Sequence, residues 1–414
     1  MKKIVVAGAG PAGLMAAATA AEYGAQVALI EKNPRVGKKL RITGKGRCNL
    51  TTSVDSSELV KGFPGNGRFL HSAFHEFSNT DLVEFFHQRG LKTKVERGSR
   101  VFPVSDQAED VVNVLLENAR RVGVETLHST KVNELRFKNG KFIGVDSNKG
   151  NIAGDAVIVA TGGMSYPGTG STGDGYPWAE KLGHRIIEPR PGLVPLQVAE
   201  NWTEDLEGLT LKNVKARAFT GQGKLINEEF GELTFANFGL SGPIILSMSH
   251  EVGEYLIKTQ QPATVKLDLK PALEEEKLDH RVQRDFNKYS RKMFKNALND
   301  LLPQKLIPVI INLSGIEAEK ECHQVTRRER LELVRLLKNL TLTVHSTRPI
   351  AESIVTAGGV NVKEVNPKTM ESRLVQGLFF AGEILDVNGY TGGYNLQAAF
   401  STGFVAGKYA ALDE

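Results

Sequence analysis

The sequence predicts an α/β protein. It has a discontinuous Rossmann-like nucleotide-binding domain, interrupted by a small barrel-like β domain that itself carries a helical subdomain. Three observations predict this. The chain opens on a strand, a glycine turn, a helix and a second strand ending in an acid. Its last segment holds another strand, glycine run and helix. Between them lie a proline-rich stretch, short apolar runs separated by turns, and a charged stretch with helical periodicity. The expected boundaries are 1–195 and 351–414 for the nucleotide-binding domain, 196–270 with a return at 341–350 for the β domain, and 271–340 for the helical subdomain.

Lys2 to Val6 reads as a short buried strand. It runs into Gly8-Ala9-Gly10-Pro11-Ala12-Gly13, which has the spacing of the dinucleotide fingerprint. Gly8 permits the tight turn, Gly10 lets a pyrophosphate approach the backbone, and Gly13 lets the helix pack closely on the strand. The helix from Leu14 to Ala21 offers free N–H groups and a partial positive charge to phosphates. Val27 to Ile30 ends in Glu31, placed to accept bonds from ribose hydroxyls, with Lys32 beside it.

With 414 residues, two or three domains are expected, and a net charge of +5 favours anionic small molecules only slightly. Cys48 and Cys322 are the only cysteines, which excludes a disulfide framework and a zinc cluster. No stretch has the length of a transmembrane helix, and the chain enters a strand within two residues, so no signal peptide is expected. The default address is the cytoplasm, and no membrane partner is expected.

Asn33 to Asn49 is rich in glycine and strongly basic. It reads as a second anion cradle, with N–H groups around Thr43-Gly44-Lys45-Gly46 forming a nest and Lys38, Lys39 and Arg47 nearby. An RNA patch is the competing reading, but the interleaved aromatics that single-strand binding wants are absent. Phe63 to Phe86 then alternates at helical spacing, with Phe69, Phe74, Phe77, Leu82, Phe85 and Phe86 on one stripe. Asp110 to Arg121 is a helix and Val124 to Leu127 a strand. Asn139-Gly140 turns a hairpin between 135–138 and 142–146. Ala156 to Ala160 is a buried strand ending in Thr161-Gly162-Gly163, where bare backbone can lie against a planar ligand.

Gly168 to Gly173 repeats the G-x-G-x-x-G spacing. Tyr166 and Pro167 separate it from the strand and no second acid-tipped strand follows, so it reads as a loop capping a helix over 174–182. Residues 188–195 are proline-rich and mark a boundary. Strands are expected over 214–220, 232–236 and 265–269, with a helix starting at Pro243. The charge runs of 271–340 read as solvated faces or a partner surface. Leu378 to Ala381 is a buried strand ending in Gly382-Glu383, with Asp386 beyond, and a last helix spans Gly393 to Ala411.

Several runs are more specific. Residues 37–51 read Gly-Lys-Lys-Leu-x-x-Thr-Gly-x-Gly-Arg-Cys-Asn-Leu-Thr, and 98–105 read Gly-Ser-Arg-Val-Phe-Pro-Val-Ser. Ala-Thr-Gly-Gly-Met-Ser-Tyr-Pro follows at 160–167, Thr-Gly-Ser-Thr-Gly-Asp-Gly at 169–175 and Phe-Gly-Leu-Ser-Gly-Pro at 238–243. Phe-Ala-Gly-Glu-Ile-Leu-Asp-Val-Asn-Gly-Tyr-Thr-Gly-Gly-Tyr-Asn-Leu-Gln closes the set at 380–397. With the opening glycine turn, these resemble the BaiN-type, or YhiN-like, NAD(FAD)-utilizing flavoproteins over almost the whole chain. The resemblance implies bound FAD and redox chemistry, and NAD(P)H as a transient electron donor.

It also implies cofactor contacts. They are Gly8, Gly10, Pro11, Ala12, Gly13, Glu31 and Lys32 for the adenosine half and pyrophosphate, and Val132 for the adenine edge. Lys39, Leu40, Thr43, Gly44, Gly46, Arg47, Cys48 and Asn49 form the second cradle. Ala160, Thr161 and Gly162 approach the flavin. Gly382, Glu383 and Asp386 meet the pyrophosphate and ribityl chain. Gly393, Asn395 and Leu396 point a helix N-terminus at flavin N1/O2. Arg47, Tyr166, Tyr390 and Tyr394 are polar groups near the ring without assigned roles, and no catalytic acid or base is identified.

The expected function is hydride transfer between flavin N5 and a small organic substrate, with NAD(P)H as donor. An FAD-dependent oxidase of an amine-type substrate is the alternative. A third reading, an RNA-associated or redox-sensing flavoprotein, has only the basic stretch 33–47 in its favour, so nucleic acid is not expected among the partners. The residues indicate no oligomeric state.

Overall fold

Five parallel strands set the frame, in the spatial order Leu378–Phe380, Ala156–Val159, Lys3–Ala7, Gln26–Ile30, Glu125–Leu127. The sheet draws on both ends of the chain: Val157 lies opposite Leu378 and Val5 opposite Val157 and Ala28. Ala156–Val159 and Leu378–Phe380 are buried at every position. That is why they read as continuous apolar runs rather than alternating ones. All five strands point one way, so their C-terminal tips share one edge. The computed structural model describes residues 1–412.

Two helices matter most for that edge, Pro11–Glu22 and Tyr394–Ala411. A Cβ at Gly403 would collide with Ala12 O, and one at Gly407 with Ala16 O. Glycines four apart thus meet alanines four apart, and the two backbones run side by side in the same direction. Gly403 is level with Ala12, so the C-terminal helix begins nine residues, or ~13.5 Å, beyond that point. Phe77 stacks on Phe404 at 4.7 Å and Phe86 meets Phe400 edge-on at 5.9 Å. Phe77, Phe86 and Phe400 are buried, and each contributes roughly 1.5–3 kcal/mol.

The single stripe expected over 63–86 is broken. Two 3-10 turns, Ser56–Gly62 and Gly67–Leu70, precede helices His71–Glu76 and Asn79–Gln88. Phe77 caps the end of the first helix, and Ser78 starts the next through a capping box with Asp81. A three-stranded sheet of Thr51–Thr52, Arg100–Pro103 and Thr93–Glu96 was not legible beforehand, nor was the third strand, Gly150–Ala153, beside the hairpin Val132–Lys138 and Lys141–Ser147. The proline-rich stretch is partly a strand. Ile186–Gly192 pairs with Val355–Val360, and a bulge between Ile187 and Arg190 takes up Pro189.

The chain divides into two compact units, Met1–Gly192 with the residues from Ile350 on, and Leu193–Pro349. The second unit is a closed barrel in the order Leu196–Val198, Gly239–Ser241, Leu225–Ala236, Thr210–Phe219, Ala263–Asp268, Leu340–Thr347. Helix Pro243–Thr259 starts on its proline. Helices Glu275–Lys288, Phe294–Ala297, Ile307–Ser314 and Arg327–Lys338 lie between the last two barrel strands in sequence, which pair with each other.

Candidate cofactor site

The first unit gathers its glycines and acids at the strand tips. Gly8 has φ +106°, and a Cβ there would stand 2.5 Å from Ala160 O. A Cβ at Gly13 would collide with the Gly8 carbonyl. Protein packing alone demands these two glycines. Gly10 differs: nothing lies within 4 Å of where its Cβ would stand. The helix beginning at Pro11 has no side-chain cap, and its first return bond is Leu14 N–H to Gly10 O. The N–H groups of Ala12 and Gly13 therefore precede that bond, at the positive end of the helix dipole and next to the open space at Gly10.

Glu31, at the tip of the second strand, is buried. Its Oε2 accepts from Ala9 N–H at 3.1 Å, and its Oε1 from the Asn33 N–H and Nδ2 at 2.8 Å. The carboxylate is held under the glycine turn, with lone pairs left over. Lys32 Nζ donates to Thr172 Oγ1 and to Asp174, both at 2.5 Å. Val132 is buried at the start of its hairpin strand.

Four distant segments meet at Lys39. Its Nζ donates to Ser165 Oγ at 2.5 Å and to both Glu383 oxygens at 2.7 and 3.0 Å. Glu383 Oε1 also accepts from Ser165 Oγ at 2.9 Å and from Thr356 N–H at 2.7 Å. Thr356 Oγ1 in turn accepts from the Met164 and Ser165 N–H groups at 2.8 and 3.1 Å. Asp386 accepts from Asn66 Nδ2 at 2.9 Å. Gly382, at the tip of Leu378–Phe380, packs so closely on Ala12 that a Cβ would stand 2.8 Å from the Ala12 methyl.

Two of the four N–H groups of the nest expected at 43–46, those of Thr43 and Gly46, are spent within the loop. Thr43 N–H donates to Leu40 O, Gly46 to Ile42 O, Arg47 to Gly44 O and Cys48 to Thr43 O, so the loop uses these donors on its own carbonyls. Arg47 is also engaged by protein partners. Its guanidinium bonds Glu96 and Asp106 and lies 4.2 Å over the Phe102 ring, and those carboxylates, Glu96 first, raise its pKa. Leu40 is buried within the short helix Lys38–Ile42. Burial pushes the Cys48 thiol up to about 12, which makes it inert.

The C-terminal helix is capped by Gly393, with φ +99°. Asn49, with its amide turned to satisfy every neighbour, accepts from Gly393 N–H at 3.0 Å and donates to the Thr51 and Val101 carbonyls. Asn395 uses its side chain on the preceding loop, accepting from Gly389 N–H and donating to Gly389 O, each at 2.8 Å. Buried Gln397 joins Thr51 Oγ1 at 2.6 Å to Ser401 Oγ at 2.9 Å. The first return bond is Gln397 N–H to Gly393 O, so the N–H groups of Tyr394, Asn395 and Leu396 precede it. The Tyr394 ring packs edge-on to Phe63 at 5.8 Å and against Gly62.

At the tip of Ala156–Val159, beside Ala160 and Gly162, Thr161 Oγ1 is buried without a protein partner, and so is the Tyr176 hydroxyl. Burial, then the Glu383 and Asp386 carboxylates, push the Tyr176 phenol above the usual tyrosine range, so it stays neutral. Ser165, Thr356, Asn66, Tyr176 and Gln397 were missed from sequence. Ser165 and Gln397 lie inside family-like runs, but nothing in those runs names their partners.

One other cluster resembles a hydrolytic triad. His184 Nε2 is 2.8 Å from Ser372 Oγ, and its Nδ1 lies 3.3 Å from Glu364. Ser372 Oγ already accepts from the Leu374 and Val375 N–H groups at 3.0 and 2.9 Å, so its lone pairs are taken and the cluster is a structural clasp. Among the described residues no group of three or more metal-ligating side chains occurs, and no helix is long and apolar enough to cross a membrane.

The family described as HI0933-like protein Rossmann domain matches residues 2–409. A 3-dehydro-bile acid delta(4,6)-reductase of Clostridium scindens is 32% identical over 413 residues, covering 99% of each chain. A ribosomal RNA dihydrouridine synthase of Haemophilus influenzae is 31% identical over 97% of this chain and 96% of its own. A 3-ketosteroid delta1-dehydrogenase from Sterolibacterium denitrificans shares the fold, with a TM-score of 0.54 at 12% identity over 99% of this chain and 100% of that one. A split Rossmann unit, an open cradle at its glycine turn and a family match running almost from end to end lead to one conclusion: the chain belongs to the HI0933-like family and is an FAD-dependent oxidoreductase.

Proposed function

We propose that this protein uses NAD(P)H to saturate a carbon–carbon double bond conjugated with a carbonyl in a small organic substrate. The end-to-end likeness to the C. scindens reductase carries this reading. The names of the two relatives describe kindred bond changes. One concerns double bonds in line with a 3-keto group, the other a uracil double bond next to a carbonyl.

FAD, when bound, supplies hydride chemistry at its isoalloxazine ring. The chain's residues bind and orient it. Gly10 and the N–H groups of Ala12 and Gly13 would take the pyrophosphate, with Pro11 starting the helix. Glu31 would accept from the ribose hydroxyls, with Lys32 at the rim and Val132 at the adenine edge. Lys39, Glu383, Gly382 and Asp386 would hold the ribityl side. Leu40, Thr43, Gly44, Gly46, Arg47 and Cys48 would act by shaping the wall, and Asn49 by capping Gly393. Ala160 and Gly162 would lie along the ring, with Thr161 Oγ1 as an unspent polar contact. The N–H groups of Tyr394, Asn395 and Leu396 would face N1/O2, where a helix N-terminus stabilises an anion by up to ~2 kcal/mol.

The test is anaerobic mixing of the yellow protein with NADH and NADPH. Rapid bleaching by one nucleotide, then recolouring by an added enone, is the expected result. Bleaching only by an amine, with peroxide formed on admitting air, would favour the oxidase and overturn the reductase.

A second reading keeps the bond change and moves it to a uracil base in RNA. The H. influenzae relative favours it, at 31% identity over nearly the whole chain. Replacing the enone by ribosomal RNA, and assaying dihydrouridine, separates the two.

A further inference from the structure

We infer that the outer face of helix Glu275–Lys288, with the turn after it, is a docking surface for the phosphate backbone of a structured RNA. The inference rests on the RNA reading above. Residues 277–295 hold seven Lys/Arg and two Asp/Glu, a net +5 equal to that of the whole chain. Everything outside this stretch therefore sums to neutral.

The charge is sorted onto one face. Lys277, Arg281, Arg284 and Lys288 recur at i, i+4, i+7 and i+11, a single helical stripe. Leu278, Val282 and Phe286 occupy the opposite face and are buried in the core of this unit. Arg291, Lys292 and Lys295 extend the stripe past the helix end. Arg281, Lys288 and Lys295 have acidic partners in Asp285, Asp300 and Glu319. Lys277, Arg284 and Arg291 are exposed and have no ion pair among the described residues. Lys292 rests its ammonium 4.7 Å over the Tyr289 ring, with Lys288 at 4.6 Å.

A groove of about 600 Å³ runs along this stripe, lined by Leu273, Lys277, His280, Gln283, Arg284 and Asn287 among others. Cations there suit phosphates. The Gln283 and Asn287 amides donate and accept, as ribose 2′-hydroxyls and base edges require. A membrane-surface helix would carry its apolar residues outward beside the cations. Here they point into the core, so the face fits a polyanion in water.

The test uses the FAD-loaded full chain and purified ribosomal RNA, titrated by fluorescence anisotropy between 50 and 200 mM salt. The wild type should bind, with log K falling linearly in log salt. The triple variant Lys277→Gln, Arg284→Gln, Arg291→Gln should flatten that slope by about 2–3 and weaken binding ~100-fold at 0.1 M salt. Its flavin content and bleaching by NAD(P)H should match the wild type. RNA binding unchanged in the triple variant would overturn the surface. So would a wild type that ignores RNA, or one that prefers phosphatidylglycerol vesicles. Binding lost in the variant supports the surface even where no dihydrouridine forms, a result that would count only against the RNA substrate.

Discussion

Residues 32–47 and 277–295 each hold seven Lys/Arg, yet the fold treats them oppositely. In the first stretch Lys32 pairs with Asp174, Arg35 and Arg41 with Glu109, Lys39 with Glu383, and Arg47 with Glu96 and Asp106, while Lys38 donates to Gly168 O. Six of its seven cations are thus tied to protein acceptors, and Lys45 alone of the seven stands exposed without one among the described residues. In the second, three cations stand exposed and unpaired, Lys277 and Arg284 on one helix face and Arg291 just past its end. The density of basic residues therefore says little about a polyanion site. What decides is whether the chain path brings acids to them.

The largest effect separates the stretches through the cofactor. Gly10→Val fills the open cradle at the glycine turn, and should give a folded but colourless protein. Its RNA binding should persist, because the substitution lies in the other compact unit of the chain. Full FAD occupancy in this variant, read from absorbance alongside circular dichroism, would break the comparison at its first term.

A smaller effect concerns stability. Lys39→Ala leaves Glu383 with only neutral donors at a site where both side chains are about 22% exposed. Partial solvent screening trims the loss to roughly 1–3 kcal/mol. Lys277→Ala, on the open face, should stay within about 0.5 kcal/mol of wild type. Urea midpoints for the two variants measure this directly. Equal losses would show that the first stretch fastens nothing.

The smallest effect is in pH. The flavin unit buries its His184, whereas the basic helix exposes His280. Burial lowers the His184 pKa, with Glu364 opposing. Above about pH 6.5 the imidazole is neutral in folded and unfolded chains, and the clasp's contribution is fully present. As pH falls below that value the unfolded chain takes up a proton that the folded chain resists. Stability should then drop by at most ~1.4 kcal/mol per pH unit, until the lowered folded pKa is reached. His184→Gln should flatten this part of the stability profile. An unchanged profile would mean that the clasp does not titrate as a buried neutral imidazole.

Much of the fold was legible because its signals are local. The Gly8 to Gly13 turn, the strand ending at Glu31, the Asn139-Gly140 hairpin and the proline start at Pro243 all follow from backbone geometry within a few residues. Ser78 and Asp81 had the spacing of a capping box and could have warned that the stripe over 63–86 breaks. The nest at 43–46 lost two of its four donors, Thr43 and Gly46, for a different reason. Glycine content shows where a backbone can turn, but not which carbonyls will reach its N–H groups first.

By itself the sequence determined the Rossmann unit, its interruption by a β and helical segment, and the run of family-like motifs that implies FAD. Only the tertiary structure decided that Lys39, Ser165, Thr356 and Glu383 meet, that Gly403 and Gly407 bring two helix starts ~12 Å out of step, and that one basic stretch is mostly tied to protein acceptors while the other faces water. The physical reason is range. Helix periodicity, caps and turns are set by contacts three or four residues apart, whereas an ion pair between residues 39 and 383 exists only once the parallel sheet has joined the two ends of the chain.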